Sequence, residues 1–187
     1  SVIRVEADST QRLWRFDLDG SNGAVILPDV APVGYHAWAG ASTLVLFVLG
    51  SPATLQRADV RTGQIEIITE DIGRSIQKIP GSDDVSYAQI HEDGTSTIMR
   101  LPSARTAPEP IAEAVSGGDF HAWAPNGTLF MASGSVVYSW SLGMDEWTPI
   151  ADFSNLNISI SRLAISPDGT QIALVAEITA IPGFPSE

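Results

Sequence analysis

Apolar and β-branched residues alternate with polar ones along most of the chain, in short runs separated by turn residues, a period-two pattern that predicts strands. Residues 1–6 (SVIRVE), 11–17 (QRLWRFD) and 24–27 (AVIL) are the first three, with a turn cluster at 19–23 (DGSNG). Residues 34–39 (GYHAWA), 43–49 (TLVLFVL), 54–60 and 64–69 form a second group. The run at 43–49 is apolar on both faces, as expected of a strand buried between two neighbouring sheets. A third, less regular group holds strands at 75–79, 85–91, 95–101 and 110–114. A fourth runs from residue 119 to 153, and a final strand pair at 162–165 and 171–177 flanks Ser166-Pro167-Asp168-Gly169. Proline fixes φ in that turn and glycine takes the left-handed position. No segment carries a convincing helical pattern.

The groups repeat. His-Ala-Trp-Ala occurs at His36 and again at His121, 85 residues apart, which reads as two periods of about 42 residues. Aligned on their third strands, Leu13, Leu55, Ile98 and Val137 hold equivalent places at intervals of 42, 43 and 39. A four-stranded antiparallel unit cannot bury both its faces alone, so such units stack on copies of themselves around an axis. The expected fold is therefore all-β, a β-propeller of four-stranded antiparallel blades with about four blades present. The blades fall at about 1–30, 34–70, 74–115, 118–153 and 160–177, and residues 178–187 form a tail. The first group lacks its innermost strand and the last holds only two strands. The expectation is the C-terminal part of a larger propeller, with self-association through the open ends or closure by a compacted blade.

Composition narrows the possibilities. At 44% hydrophobic and 17% charged, with five Trp, six Phe and three Tyr, the chain is globular. Its net charge of −12 opposes nucleic acid and anionic membranes, and no Lys/Arg cluster offsets it. With no Cys, disulfides and thiolate chemistry are excluded. The longest apolar run, 44–49, is far too short to cross a bilayer, so no membrane insertion is expected. No signal peptide is present, and the chain opens inside a predicted strand, so a targeting segment is expected upstream.

The pattern SPDG followed by IAL at 166–174, with a weaker copy APNG at 124–127, resembles the repeat of TolB-like propellers. The ordered set VEADSTQRLWRFDLDG, PVGYHAW, LFVLG, IGRSIQKIPG, WAPNGTLFMASGS and RLAISPDGTQIALVAE is similar to a group of bacterial TolB-like proteins of unassigned function, across residues 2–177. That resemblance implies a six-bladed propeller with about two further blade-equivalents upstream, and a periplasmic or secreted location.

Candidate chemistry is sparse. His36 and His121 occupy equivalent innermost strands, where two imidazoles facing a channel with Asp119 nearby would suit a divalent metal. Related propellers of oligogalacturonate lyases hold a metal by histidine, which makes a metal-dependent lyase or hydrolase acting on acidic sugars one alternative. The other reading packs both histidines beside Trp38 and Trp123, with no cofactor. Loops entering innermost strands carry Tyr35, Arg74, Ser75, Gln77, Asp119 and Arg162, at the mouth where propellers commonly bind. Arg74 and Arg162 suit a carboxylate or phosphate, or ion pairs with the acidic surface. His91 is expected on an exposed turn. The loop starting at Asp17 half-matches a calcium loop but has Pro28 at its twelfth place, so a hairpin turn is expected. The five tryptophans suit inter-blade core or a carbohydrate platform. No Gly-x-Ser-x-Gly elbow or phosphate loop is present. The resulting expectation is a non-catalytic scaffold binding a protein or small ligand at the channel mouth. The alternatives are the metal enzyme and the propeller module of a larger peptidase.

Overall fold

The computed structural model describes residues 1–104 and 106–179. Among them the protein is all-β, with strands in five antiparallel sheets and one 3-10 turn. Sheet I holds β1 (Val2–Val5), β2 (Gln11–Arg15) and β3 (Ala24–Val25). Sheet II holds β4 (Val33–Trp38), β5 (Thr43–Val48), β6 (Thr54–Asp59) and β7 (Ile65–Glu70). Sheet III holds β8 (Ile72–Lys78), β9 (Val85–Ile90), β10 (Ser96–Leu101) and β11 (Glu109–Glu113). Sheet IV holds β12 (His121–Trp123), β13 (Leu129–Ser133), β14 (Val136–Trp140) and β15 (Thr148–Asp152). Sheet V holds β16 (Ile158–Ile165) and β17 (Ile172–Ile178). Within each sheet the strands lie side by side in chain order, the arrangement of a propeller blade.

The chain divides into two compact units. The first comprises Ser1–Lys78 with Asp83–Ile111, and the second Ile79–Ser82 with the residues from Ala112 onward. In the first unit, β5 shows how a strand without polar positions is used. Val45 and Phe47 join a cluster with Ile72, Ile76, Val85 and Tyr87 on sheet III. Leu44, Leu46 and Val48 point the other way, into a cluster with Leu13 and Val30. Side chains alternate across a strand, so a continuous apolar run requires an apolar neighbour on each side. The two clusters supply both.

In the second unit, Ala122, Ala132 and Val137 of sheet IV meet Ile160 and Leu163 of sheet V. The two turns that gave the repeat its signature differ by one residue. His121 pairs with Met131 and Trp123 with Leu129 across residues 124–128, whereas Leu163 pairs with Leu174 and Ile165 with Ile172 across residues 166–171. Gly127 and Gly169 close those turns at φ +85° and +71°.

The aligned residues Leu13, Leu55, Ile98 and Val137 are all buried, each facing an apolar partner on the preceding strand: Ile3, Phe47, Ala88 and Ala132. Expected and observed strands differ mainly in sheet V. β16 begins at Ile158, earlier than the predicted 162, because its apolar residues change phase. Ile158 and Ile160 share one parity and Leu163 and Ile165 the other, and a register shift between Ile160 and Arg162 brings them onto one face. The strand is entered from a 3-10 turn at Ser154–Leu156, through Asn157 at φ 50°. β17 runs through Ile178, and the Thr179 amide bonds to the Asn157 carbonyl at 2.8 Å. The remainder of the expected tail lies outside the described residues.

Candidate functional site

Of the residues singled out, Tyr35, His36, Arg74 and Gln77 fall in the first unit, and Asp119, His121 and Arg162 in the second. Each set is positioned by the innermost strands of its own sheets.

β4 and β8 pack side by side in the first unit. Tyr35 points into the sheet II–III cluster and meets Phe47 edge-on, ring centroids 5.7 Å apart. His36 points to the opposite face. Its Nε2 lies 2.8 Å from the Ser1 Oγ, and that hydroxyl accepts the Trp38 Nε1–H at 3.0 Å. A hydroxyl that accepts from tryptophan keeps its own hydrogen for a neutral imidazole. Burial of the ring, and then the positive charge at Ser1, lowers the His36 pKa and favours that neutral form. On β8, Arg74 is exposed and Gln77 half-buried, while Ser75 between them is fully buried. The Gln77 carbonyl accepts from the Ser86 hydroxyl at 3.3 Å.

In the second unit, His121 is fully buried opposite Met131. Burial pushes its pKa down to about 3, so the imidazole is neutral at ordinary pH. Its place in the repeat is held by Leu163 in sheet V, and the ring acts there as a core side chain. Arg162 behaves differently. It is exposed on β16, and its guanidinium carbon lies over the Phe120 ring, 6.0 Å from the centroid. Asp119, also exposed, precedes that phenylalanine on the loop entering β12. The loop and the strand thus present a cation, a carboxylate and an aromatic face together.

Among the described residues, no group of three or more His, Asp or Glu side chains is gathered so as to hold a metal ion. The calcium-like loop is a hairpin turn, closed by Asn22 Nδ2 donating to Asp17 Oδ2 at 2.7 Å and by the Ser21 amide donating to Asp19. His91 is exposed, with its Nε2 2.8 Å from the Thr97 hydroxyl. The tryptophans divide between roles. Trp140 is buried and donates to the Met144 carbonyl, and Trp38 packs on the sheet I–II core. Trp14 stacks on Phe16 at 5.9 Å with Arg4 above it.

Sequence reading passed over Arg57. It is 4% exposed, donates to the Pro102 carbonyl at 2.9 Å, and lies 3.9 Å from Glu66. An open cleft of ≈ 340 Å³ is lined by Arg57, Gln64, Ile65 and Glu66. The signal was there: Arg57 shares the parity of Leu55 in TLQRAD, an inward position for a cation. Asp84 is a second buried charge. It accepts from Arg100 and from the Ser103 amide, and the amide hydrogen bond, then the guanidinium, holds its pKa below the usual carboxylate range.

No protein-family model matches the sequence, and no curated protein matches it. Among solved structures the chain is similar to TolB from Acinetobacter baumannii, at a TM-score of 0.67 and 18% identity over 88% of this chain and 42% of that one. Virginiamycin B lyase from Staphylococcus aureus aligns at a TM-score of 0.63 and 12% identity, over 94% of this chain and 62% of that one. The Dos1 propeller aligns at 0.59 and 10%, over 90% and 61%. At these identities the likeness concerns the fold alone, and the chain spans less than two thirds of each of these structures. The protein has the fold of a TolB-like β-propeller, of which this chain spans a part.

Proposed function

We propose that the chain is part of a propeller scaffold that binds a protein or small ligand bearing a carboxylate, through the loops entering its innermost strands. The observation that carries this reading is Arg162. An exposed guanidinium over the Phe120 ring, with Asp119 on the same loop, combines charge, hydrogen-bond donors and an apolar face. Such a cation in a chain of net charge −12 is suited to selecting an acidic group against a repelling background. The exposed Arg74, on the innermost strand of sheet III, offers the same chemistry in the first unit by itself. The reading requires no cofactor. The fold likeness to TolB and the sequence resemblance support a periplasmic or secreted location. No helix among the described residues is long and apolar enough to cross a membrane.

The test is a titration of the isotopically labelled chain with short peptides ending in a free carboxylate, and with uronate oligosaccharides. Shifts at the Arg162 side chain and Phe120, lost in R162A, are expected for at least one probe. Turnover of a uronate probe, dependent on added divalent metal, would replace this reading with the lyase one.

A further inference from the structure

Arg57 and Arg100 hold the same place in the repeat, since each follows an aligned core residue, Leu55 or Ile98, on the same face of its strand. Leu55 pairs with Phe47 and Ile98 with Ala88, so Thr43 in sheet II corresponds to Asp84 in sheet III. Asp84 is buried, and its Oδ2 accepts from Arg100 Nε at 2.7 Å and lies 2.6 Å from Nη2. Thr43 carries no charge at that place. Arg57 is nonetheless the more deeply buried of the two cations, with its side chain 5% exposed against 46% for Arg100. Its Nη2–H donates to the Pro102 carbonyl at 2.9 Å, which fixes the guanidinium.

The cleft that Arg57 lines, ≈ 340 Å³, falls within the range of small-molecule sites, about 300–1,000 Å³. Glu66 lies directly opposite Arg57 on β7. The ladder continues to Gln64, whose carbonyl accepts from the Asp59 amide at 2.9 Å, and alternation puts the Gln64 side chain on the face of Glu66. A guanidinium, a carboxylate and an amide therefore share one wall. The Glu66 side chain is 54% exposed, and its 3.9 Å separation from Arg57 is longer than a hydrogen bond. It can turn to a cation in the cleft while Pro102 holds the guanidinium still. A guanidinium has five N–H donors, so it can take a carboxylate and keep the Pro102 bond. A ligand with negative charge alone is repelled by Glu66, and one with positive charge alone by Arg57. A ligand carrying both charges satisfies both residues. Sheet II has all four strands, and Arg57, Gln64, Glu66 and Pro102 all belong to the first unit, whereas Arg162 belongs to the second.

We propose that the cleft beside Arg57 binds a small zwitterion of the α-amino-acid type, with its carboxylate on Arg57 and its ammonium group on Glu66. The test is a titration of the ¹⁵N-labelled 187-residue chain with L-alanine, followed by NMR at the Arg57 Nε–H and the Gln64 side-chain amide. Saturable shifts at both groups are expected. Propionate and alaninamide, which each keep one of the two charges, should bind roughly tenfold or more weakly than L-alanine. Arg57→Gln is expected to abolish the shifts at Gln64. Because Arg57 is buried and that variant can lose its fold, the exposed Glu66→Gln is the second probe. It should keep the spectrum of the folded chain, weaken L-alanine roughly tenfold or more and leave propionate binding no weaker. The absence of saturable shifts with L-alanine overturns the proposal. So does propionate binding as tightly as L-alanine, which would mark a plain anion site, or L-alanine binding that Glu66→Gln leaves unchanged.

Discussion

β5 and β17 are the second strands of their sheets, and both are largely apolar: TLVLFV and IALVAEI. Their environments are opposite. Every residue of β5 after Thr43 is buried, whereas β17 is exposed at every position except Leu174. The difference lies in what flanks them. β5 has a cluster on each side, while β17 has sheet IV on one side only. Sheet IV shows what the open side of sheet V is built for. Ala122 and Ala132 are buried against sheet V, and the residues holding their places in the repeat, Ala164 and Val175, are exposed. An apolar pattern records that a strand is made to be covered. It does not record what covers it.

The largest effect should come from emptying the covered strand. Leu46→Ala removes a fully buried side chain and is expected to cost about 2–5 kcal/mol. Val175→Ala, on the exposed strand, should stay within about 0.5 kcal/mol in dilute solution. Urea unfolding of both variants checks the contrast, and equal losses would mean that β17 is covered too.

Acid should act next, through the core of sheet IV. The His121 pKa of about 3 in the folded protein lies below its unfolded value of about 6.5. The unfolded chain therefore takes up the proton first. The stability contributed by the neutral ring is fully present above about pH 6.5 and falls as pH drops toward 3, by up to about 1.4 kcal/mol per pH unit. His36, lowered in the same direction by burial, adds to the slope. His121→Leu places at this position the residue that sheet V already uses, and should flatten the profile between pH 6.5 and 4.5, above the carboxylate range. A profile unchanged in that variant would show that the imidazole is not the group responsible.

The smallest effect compares the two signature turns. Gly127→Ala and Gly169→Ala each force a side chain into the left-handed region, at about 1–2 kcal/mol. A Cβ at Gly169 would also meet Pro125 Cδ at 3.3 Å, whereas one at Gly127 meets nothing within 4 Å. Thermal melting should therefore rank Gly169→Ala as the more damaging of the two.

The strands and their grouping into blades were legible because period-two alternation and turn chemistry are local signals, and because the repeat samples them several times. The spacing of Leu13, Leu55, Ile98 and Val137 pointed to one core position in four sheets, and all four residues are buried there. The start of β16 was not legible, since a single extra residue at the register shift reverses the apolar parity. The candidate site was harder still. For the histidines of the repeated His-Ala-Trp-Ala, the sequence left a channel-facing and a packed reading open; His121 is fully buried, and His36 Nε2 lies 2.8 Å from the Ser1 Oγ. Sequence spacing gives the strand and the face. It does not say whether an imidazole on that face is fully buried, as His121 is opposite Met131, or only half-buried, as His36 is. Arg162 was legible as a rare cation, but its placement over Phe120 required the fold.

Amide hydrogen exchange across β5 and β17, measured at low and high protein concentration, addresses the contrast most directly. The account predicts that β5 amides exchange only through global unfolding at either concentration. Residues 172–178 should exchange faster than β5, through local opening, at either concentration. Equal, concentration-independent protection of the two strands would contradict it.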